Sequence, residues 1–571
     1  IVLENDDSSH ISIFCSVCGE TIYPHHLLHH KKIHRAQTLL GFAGPPRQAD
    51  SKTLLAQRQK VISQLTKIPK YSEAQRQKVD YSFEFLTDVK APTPCHDLTP
   101  ISSPCTFKKV NNSLIKALAI CQDQNSTWQA EMEDRFIVLE NYGNRSDTCF
   151  LGLADGSHGV AAAETVAAEL PLLFLDQLAQ MDPSYKKSQD QQQVLDAFAT
   201  VIGADYKEKE KIFSVKAGND KSSPYERIHK AFAKSFWRMD RLLRLGRREL
   251  SKVRWSGCSA LTCLLETIPR EETEGTKGEG KTYSANTTHS PVSSRARGAA
   301  GLLHVANVGD AHVVLCRNGK SHCLSAEHST SNARERKRIL QQGGHISTNE
   351  PNGLVEGYLR TTRALGHHGD PVLKRSVVPV PHTLSVPIDD TCQFLILASN
   401  GLWEVLDYKE VLTLTLKIFT CYLKKHEFIQ QNTTPLSQYL MPLSEGNTSN
   451  SKATENLQDG TETTHDSGPQ LAEKVDSQIF GEQFASDTSQ ELRTTVSPAS
   501  PNPALQLEED TQTYPWSCKP CSAGRGGATC ETLYEKAAGY ISKQLVKMAL
   551  AAGSRDNITI LIVLLNGCDK I

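Results

Sequence analysis

The sequence predicts a domain of the α+β class. Two observations carry that reading. Short apolar runs ending in turn residues come in clusters. Leu302 to Val308 and Ala311 to Cys316 flank Gly309-Asp310, and the second run then turns at Asn318-Gly319, a strong hairpin signal. Phe394 to Ala398 and Ile558 to Leu565 are two more such runs. Stretches of helical periodicity stand apart from them, at 160–178, 194–204, 224–249, 332–342, 407–424 and 531–552. A parallel sheet would instead interleave strand and helix.

At 571 residues the chain accommodates one large domain with appendages, or two to four ordinary ones. A hydrophobic content of 39% with 22% charged residues is that of a soluble protein. The formal net charge of −1 gives no electrostatic case for a nucleic-acid or membrane partner. No apolar run approaches the ~18 residues needed to span a bilayer. No signal peptide opens the chain, and since it starts at Ile1 instead of Met, residues are expected to precede it. Sixteen cysteines lie scattered apart from two Cys-x-x-Cys pairs, which suits reduced thiols and an intracellular location, cytoplasmic or nuclear.

Residues 12–34 hold the first local motif: Cys15-x2-Cys18, then His30-x3-His34, with Ile22 and Leu27 between them. Two thiolates from a turn and two imidazoles one helical turn apart can close a tetrahedral Zn²⁺ site. Eleven residues separate Cys18 from His30, one short of the usual spacing, and His29 could substitute for His30. The segment resembles a degenerate Cys2His2 zinc finger. A lone finger has a small footprint on DNA, so protein contact or structural use is expected. A Gly/Pro linker at 41–50 follows. Next come two amphipathic helices within 51–90, near 51–68 (Leu54, Leu55, Val61, Ile62, Leu65) and 72–89 (Val79, Phe83, Leu86), expected to dock on the main domain. A second linker spans 91–105.

The large domain is expected to run from 107 to 571 with two interruptions. Residues 269–300 and about 430–515 are rich in polar and turn-forming residues and poor in aromatics. Neither could bury enough surface to offset its ordering entropy, so both are expected as disordered insertions in surface loops. Cys518, Cys521 and Cys530 fall by a Gly-rich run and are expected as free thiols in a loop.

The chemistry centres on Phe150-Leu151-Gly152-Leu153-Ala154-Asp155-Gly156-Ser157-His158-Gly159. An apolar strand ends in a carboxylate, a Gly-rich turn follows, and a helix begins that is kinked or restarted at Pro171, with Val160, Ala163, Ala167 and Leu170 on one side. Such a strand fixes one carboxylate at a sheet edge. Asn400 and Asp556 are similarly placed, Glu133-Asp134 precedes the apolar run Phe136 to Leu139, and Asp310 sits in the turn between two strands. Hard oxygen ligands converging from separate strands suit Mg²⁺ or Mn²⁺, and two such ions can activate a water for in-line attack on phosphate. Taken singly, each acid reads more readily as a turn former than as a ligand.

The order of the motifs adds to this. Glu131-Met132-Glu133-Asp134, Ala154-Asp155-Gly156, Gly257-Cys258-Ser259-Ala260, Ala306-Asn307-Val308-Gly309-Asp310, Arg363-Ala364-Leu365-Gly366, Leu397-Ala398-Ser399-Asn400-Gly401-Leu402-Trp403 and Gly553-Ser554-Arg555-Asp556-Asn557 follow one another in the chain. This series resembles the metal-dependent protein phosphatase family, protein phosphatase 2C. The resemblance spans about 107–567. It implies a sandwich of two antiparallel sheets flanked by helices, and two Mn²⁺ or Mg²⁺ ions used to remove phosphate from Ser and Thr. Carried over by position, it makes Asp155 the carboxylate bridging two metals. The Gly156 carbonyl and Glu133 complete one site, with Asp134 beside it. Asp556 serves the other metal, and Asp310 faces a third, weaker site together with Glu404.

Three family positions differ. Asn400 stands where the family has Asp, which removes a full negative charge from a divalent site. Ser157 stands where the family has the His that acts as general acid, and an imidazole follows one residue late as His158. A Ser hydroxyl does not titrate near neutrality. Gln129, after Trp128, stands where the family has a phosphate-binding Arg, and it lacks the bidentate charged fork. In addition, His367 replaces an Asp after Arg363-Ala364-Leu365-Gly366. The resemblance with these departures predicts a monomeric pseudophosphatase that binds a phosphoprotein or another protein. The alternative is an active Ser/Thr phosphatase in which His158 and one good metal site suffice.

Overall fold

A computed structural model of the protein describes residues 11–42, 50–65, 72–87, 101, 105–198, 225–246, 253–268, 300–347, 353–433 and 532–571. Contacts divide the chain into two units, 1–431 with 518–571 and 432–517, and the fold described lies in the first. Its N-terminal part contains β1 (Ile13–Phe14), β2 (Thr21–Ile22), α1 (Pro24–Leu39), α2 (Ser51–Leu65) and α3 (Ser72–Thr87). Next come β3 (Thr106–Phe107), β4 (Ile115–Asp123), β5 (Arg135–Glu140), β6 (Thr148–Ser157), α4 (Ala161–Met181), α5 (Gln189–Ala197) and α6 (Glu226–Leu245). The middle is β7 (Gly257–Thr267), β8 (Gly301–Val308), β9 (His312–Arg317), β10 (Lys320–Cys323), α7 (Ala333–Gln341), β11 (Leu365–Gly366) and α8 (Pro371–Ser376). The chain closes with β12 (His382–Ile388), β13 (Cys392–Ala398), α9 (Asn400–Trp403), α10 (Tyr408–Thr433), α11 (Leu533–Ala551) and β14 (Ile558–Leu565).

The period-two alternation of strand side chains sets the layers. In β13, Leu395 and Leu397 enter one buried cluster while Phe394, Ile396 and Ala398 enter another. Strand β14 divides in the same way, with Leu561 and Val563 on one side and Ile560, Ile562 and Leu564 on the other. Two antiparallel sheets result, in the orders β10-β9-β13-β14-β4-β3 and β12-β8-β7-β6-β5, with β11 paired to β7. The cluster between them joins Leu118, Leu395 and Leu561 of the first sheet to Leu151, Leu261 and Leu303 of the second. Helices α10 and α11 cover the first sheet through Phe419, Ile541 and Leu545. Helices α4 and α6 cover the second, where Phe174 stacks on Phe232 at 3.9 Å between ring centroids. The expected sandwich flanked by helices is the observed architecture.

Several local expectations change. Strand β6 continues past Asp155 to Ser157, pairing Asp155 with Ser259 and Ser157 with Gly257, because β7 is long enough to match it. The turn therefore starts at His158, not at Gly156. Gly309-Asp310 joins strands of different sheets, whereas Asn318-Gly319 closes the β9–β10 hairpin with both residues at positive φ. Helix α4 runs unbroken through Pro171, with Ala163, Val166 and Leu170 buried in one core and Ala167 half-buried against it. Helix α5 starts at a Ser188–Gln191 capping box, upstream of the expected 194. Helices α2 and α3 pack on each other and on Leu40 at the end of α1, forming a small core with Leu54 and Val79, while Leu55 stays exposed. The expected insertions at 269–300 and 430–515, the linkers at 41–50 and 91–105, and Cys518, Cys521 and Cys530 lie wholly or largely outside the described residues.

Among the described residues every cysteine is a free thiol, and no helix is long and apolar enough to cross a membrane.

Candidate metal centre and cleft

The acids meet where strand ends from both sheets approach. Asp155 is 8% exposed near the end of β6, and its Oδ2 accepts the backbone N–H of Asn400 at 2.7 Å. Burial, then the charges of Asp134, Asp310 and Asp556, push its carboxyl well above the ordinary range. Asp134 is 1% exposed, accepts the Thr559 hydroxyl at 2.8 Å and is raised to about 7, chiefly by burial. Asp310 accepts the Ser259 hydroxyl at 2.8 Å and is also raised by burial. Glu133 lies over Gly156, where any Cβ would come within 2.6 Å of the Glu133 carbonyl oxygen. Its Oε1 accepts the Gly159 N–H at 2.9 Å. Only glycine permits this approach, which sets the Gly156 backbone directly against the Glu133 backbone.

The departures from the family pattern have definite geometries. Asn400 Nδ2 donates to Asp556 Oδ2 at 3.2 Å, so an amide N–H is aimed at the carboxylate. Ser157 Oγ donates to the Gly257 carbonyl at 3.3 Å and lies 3.4 Å from His367 Nε2. His158 is exposed, held at φ +60° in the left-handed region, with its ring 5.9 Å from that of His367. His367 fills the space above Gly257, where a Cβ would meet Nε2 at 2.1 Å. Burial, then the charges of Lys374 and His158, lower His367 to about 4, so its imidazole is neutral at pH 7. Gln129 Nε2 donates to the Arg555 carbonyl at 2.9 Å, and the Arg555 guanidinium stacks over Trp128 at 4.5 Å. Glu404 Oε1 accepts from the Ser554 hydroxyl at 2.9 Å and from the Arg555 N–H at 2.6 Å, which ties it to the Asp556 loop.

Other residues hold the cleft without having been assigned a role in the sequence. Asn557 donates to the carbonyls of Gln124 and Glu131 at 2.7 and 3.0 Å and accepts from the Glu133 N–H at 2.8 Å. Ser399 accepts the Thr559 N–H at 2.9 Å. Asp240, buried on α6, accepts the Gly366 N–H at 3.0 Å and the Lys374 ammonium at 2.7 Å, positioning the segment that carries His367. Asn557 and Ser399 lie inside quoted motifs, but their partners are more than a hundred residues away and have no signal in sequence. Asp240 lies on a helix whose period alone points to a structural face.

Asp155, Asp556, Glu133 and the Gly156 carbonyl offer hard oxygen donors of the kind Mg²⁺ or Mn²⁺ takes. The mutual repulsion and burial that raise Asp155 are what a divalent cation among them would relieve. Among the described residues these carboxylates are not gathered into one ligand cluster, and Asn400 brings an uncharged amide to Asp556. At the N-terminus the ligands are already gathered. Cys15 Sγ lies 3.5 Å from His34 Nε2, Cys18 Sγ 3.2 Å from His30 Nε2, and the two His Nε2 atoms 2.9 Å apart. Tetrahedral zinc, with bonds of about 2.3 Å to sulfur and about 2.0 Å to nitrogen, sets sulfur–nitrogen separations of roughly 3.5 Å. All four ligand atoms lie within 4.8 Å of one another, the one such Cys, His, Asp or Glu group among the described residues. His29 turns away to pack on Phe85, so His30 is the ligand candidate.

The chain belongs to the protein phosphatase 2C family, whose profile matches residues 280–432. It is 40% identical to protein phosphatase 2C-like domain-containing protein 1 of Homo sapiens, across 97% of this chain and 89% of that one. Against the Mus musculus protein of the same name the identity is 38%, across 97% and 88%. It is 27% identical to protein phosphatase 2C homolog 1 of Saccharomyces cerevisiae, across 51% of this chain and 78% of that one.

Proposed function

We propose that this chain is a pseudophosphatase: a protein phosphatase 2C domain, over 107–571, with its catalysis lost or strongly impaired and its cleft kept for binding protein. The observation that carries this reading is the Asn400 amide, which donates to Asp556 where the family pattern has two carboxylates for a metal. Two further losses act on different roles. Ser157 brings no titratable group to the leaving oxygen, and neither histidine replaces it, since His158 is exposed on a left-handed turn and His367 is held neutral. A general acid is worth roughly 10²–10⁴-fold in rate. Gln129 spends its amide on the Arg555 backbone and offers phosphate no charge.

Asp155, Glu133, the Gly156 carbonyl and Asp556 would hold one Mg²⁺ or Mn²⁺, which supplies Lewis-acid polarisation when bound. Asp134 and Asp310 line the same cleft, with Glu404 supporting the Asp556 loop. Cys15, Cys18, His30 and His34 would hold one Zn²⁺. The partner is a phosphoprotein or another protein, bound by a monomer inside the cell.

The test is phosphate release from a phosphopeptide by the full chain across a Mn²⁺ titration. The chain as it stands should be silent, and the triple reversion Gln129→Arg, Ser157→His, Asn400→Asp should turn over. Turnover by the unaltered chain, abolished by Asp155→Ala, would instead make it an active Ser/Thr phosphatase.

A further inference from the structure

The zinc-finger segment is built into the phosphatase domain. Ile13 and Leu27, 1% and 0% exposed, belong to the same core as Phe419, Ile541 and Ile560 under helices α10 and α11. The polar contacts of the segment come from residues beside the metal-ligand candidates. Ser16, next to Cys15, donates its hydroxyl to Asp407 and its N–H to Glu410 Oε1 at 3.5 Å. Lys31, next to His30, donates to the Val405 carbonyl at 2.8 Å and pairs with the fully buried Glu410 carboxylate at 2.5 Å. Leu28, two residues before His30, lies against Gly553, where a Cβ would meet Leu28 Cδ1 at 2.9 Å. Gly553 sits at φ +85° at the start of the loop that leads to Asp556.

The segment therefore touches two stretches of the cleft wall at once. One is 400–405, bearing Asn400 and Glu404, and the other is 553–556, bearing Asp556. Glu404 already links them through Ser554 and Arg555. The hairpin of the segment is short, two residues per strand, and its knuckle rests on two backbone bonds, Cys15 N–H to the Glu20 carbonyl and Gly19 N–H to the Cys15 carbonyl, both 2.9 Å. Its anchorage comes from Ile13 and Leu27 in the core, while the knuckle that carries Cys15 and Cys18 has little structure of its own for a metal to reinforce.

We propose that one Zn²⁺ on Cys15, Cys18, His30 and His34 makes this segment a brace for the cleft, holding 400–405 and 553–556 in place. This rests on the zinc reading above. On binding, each thiol gives up its proton to solvent and coordinates as thiolate. The metal fixes Ser16, Leu28 and Lys31 relative to one another, and these three engage α10, the turn before it and the Asp556 loop.

The experiment measures zinc content and backbone amide exchange of the full chain without Mn²⁺, before and after zinc is stripped with a chelator. The expected result is one zinc per chain, with exchange at 400–405 and 553–557 accelerated on the order of tenfold after stripping. Exchange in β6 and β7 should hold. Leu28→Ala leaves the four ligands intact and should keep the zinc while accelerating 553–557 alone. If stripping loosens the whole domain, Leu28→Ala decides: faster exchange at 553–557 supports the brace, and unchanged exchange rejects it. Absence of zinc overturns both the zinc reading and the brace. Bound zinc whose removal leaves 400–405 and 553–557 unchanged overturns the brace alone.

Discussion

At Asn400 one atom separates the chain from the carboxylate that the family pattern has at this position. The side chain sits between Asp155, bonded to its backbone N–H at 2.7 Å, and Asp556, bonded to its amide at 3.2 Å. An amide can offer one oxygen to a cation but no charge, and here its N–H end meets the acid. Asn400→Asp replaces that donor with a further carboxylate oxygen donor and adds a negative charge. Mn²⁺ binding measured by calorimetry should tighten by about tenfold or more, equivalent to about 1.4 kcal/mol. Unchanged affinity would mean that the ion sits elsewhere in the cleft. Ser157 illustrates the same point for acid catalysis. Its hydroxyl is 3.4 Å from a buried neutral imidazole, and neither group is an acid that titrates near pH 7.

Among the elements, α1 carries the most unexpected role. Its spacing of histidines pointed to a metal, yet its Leu27 is buried in the core beneath α10 and α11. Leu27→Ala should therefore destabilise the whole phosphatase domain by about 2–5 kcal/mol in denaturant unfolding. Leu55→Ala on α2, at an exposed position, should stay within about 0.5 kcal/mol. Equal effects from the two would place the N-terminal segment outside the core. Helix α7 acts through charge. Its Glu335 meets Arg363 at 2.5 Å and Arg338 at 3.1 Å and accepts the Thr362 hydroxyl at 3.0 Å. These contacts fix the segment that leads into Leu365-Gly366 on β11.

For the whole molecule, that cluster makes stability depend on pH. Burial alone would raise the Glu335 carboxyl, but the hydrogen bond and charge of Arg363, with Arg338, lower it from 4.5 to about 2. A carboxyl depressed on folding contributes stability that is fully present above its unfolded value and fades as pH falls through its folded one. The chain should lose this contribution between about pH 4.5 and pH 2. Glu335→Gln should be destabilised at neutral pH by about 3–5 kcal/mol, because two partly buried guanidinium groups lose their counter-charge. Its stability should then fall less steeply than that of the unaltered chain over that acid range. Parallel curves for the two proteins, followed by thermal unfolding, would assign the acid sensitivity to other carboxyls.

The sequence on its own carried β5, β6, β8, β9, β13 and β14, the covering helices and the family, but not β4, β7 or β12. What it carried follows from local alternation, turn chemistry and a motif order confined to short windows. It also placed the four N-terminal ligand candidates, because a knuckle and one helical turn are local geometry. Tertiary structure alone decided where strand β6 stops, since that depends on the length of β7. It chose His30 over His29 through packing on Phe85. It aimed the Asn400 amide at Asp556, set Asn557 to bridge Gln124, Glu131 and Glu133, and seated α1 on α10 and α11, helices that begin at Tyr408 and Leu533. Each of these is a contact between residues far apart in sequence, where no periodicity or spacing carries the information and only the closed fold brings the partners together.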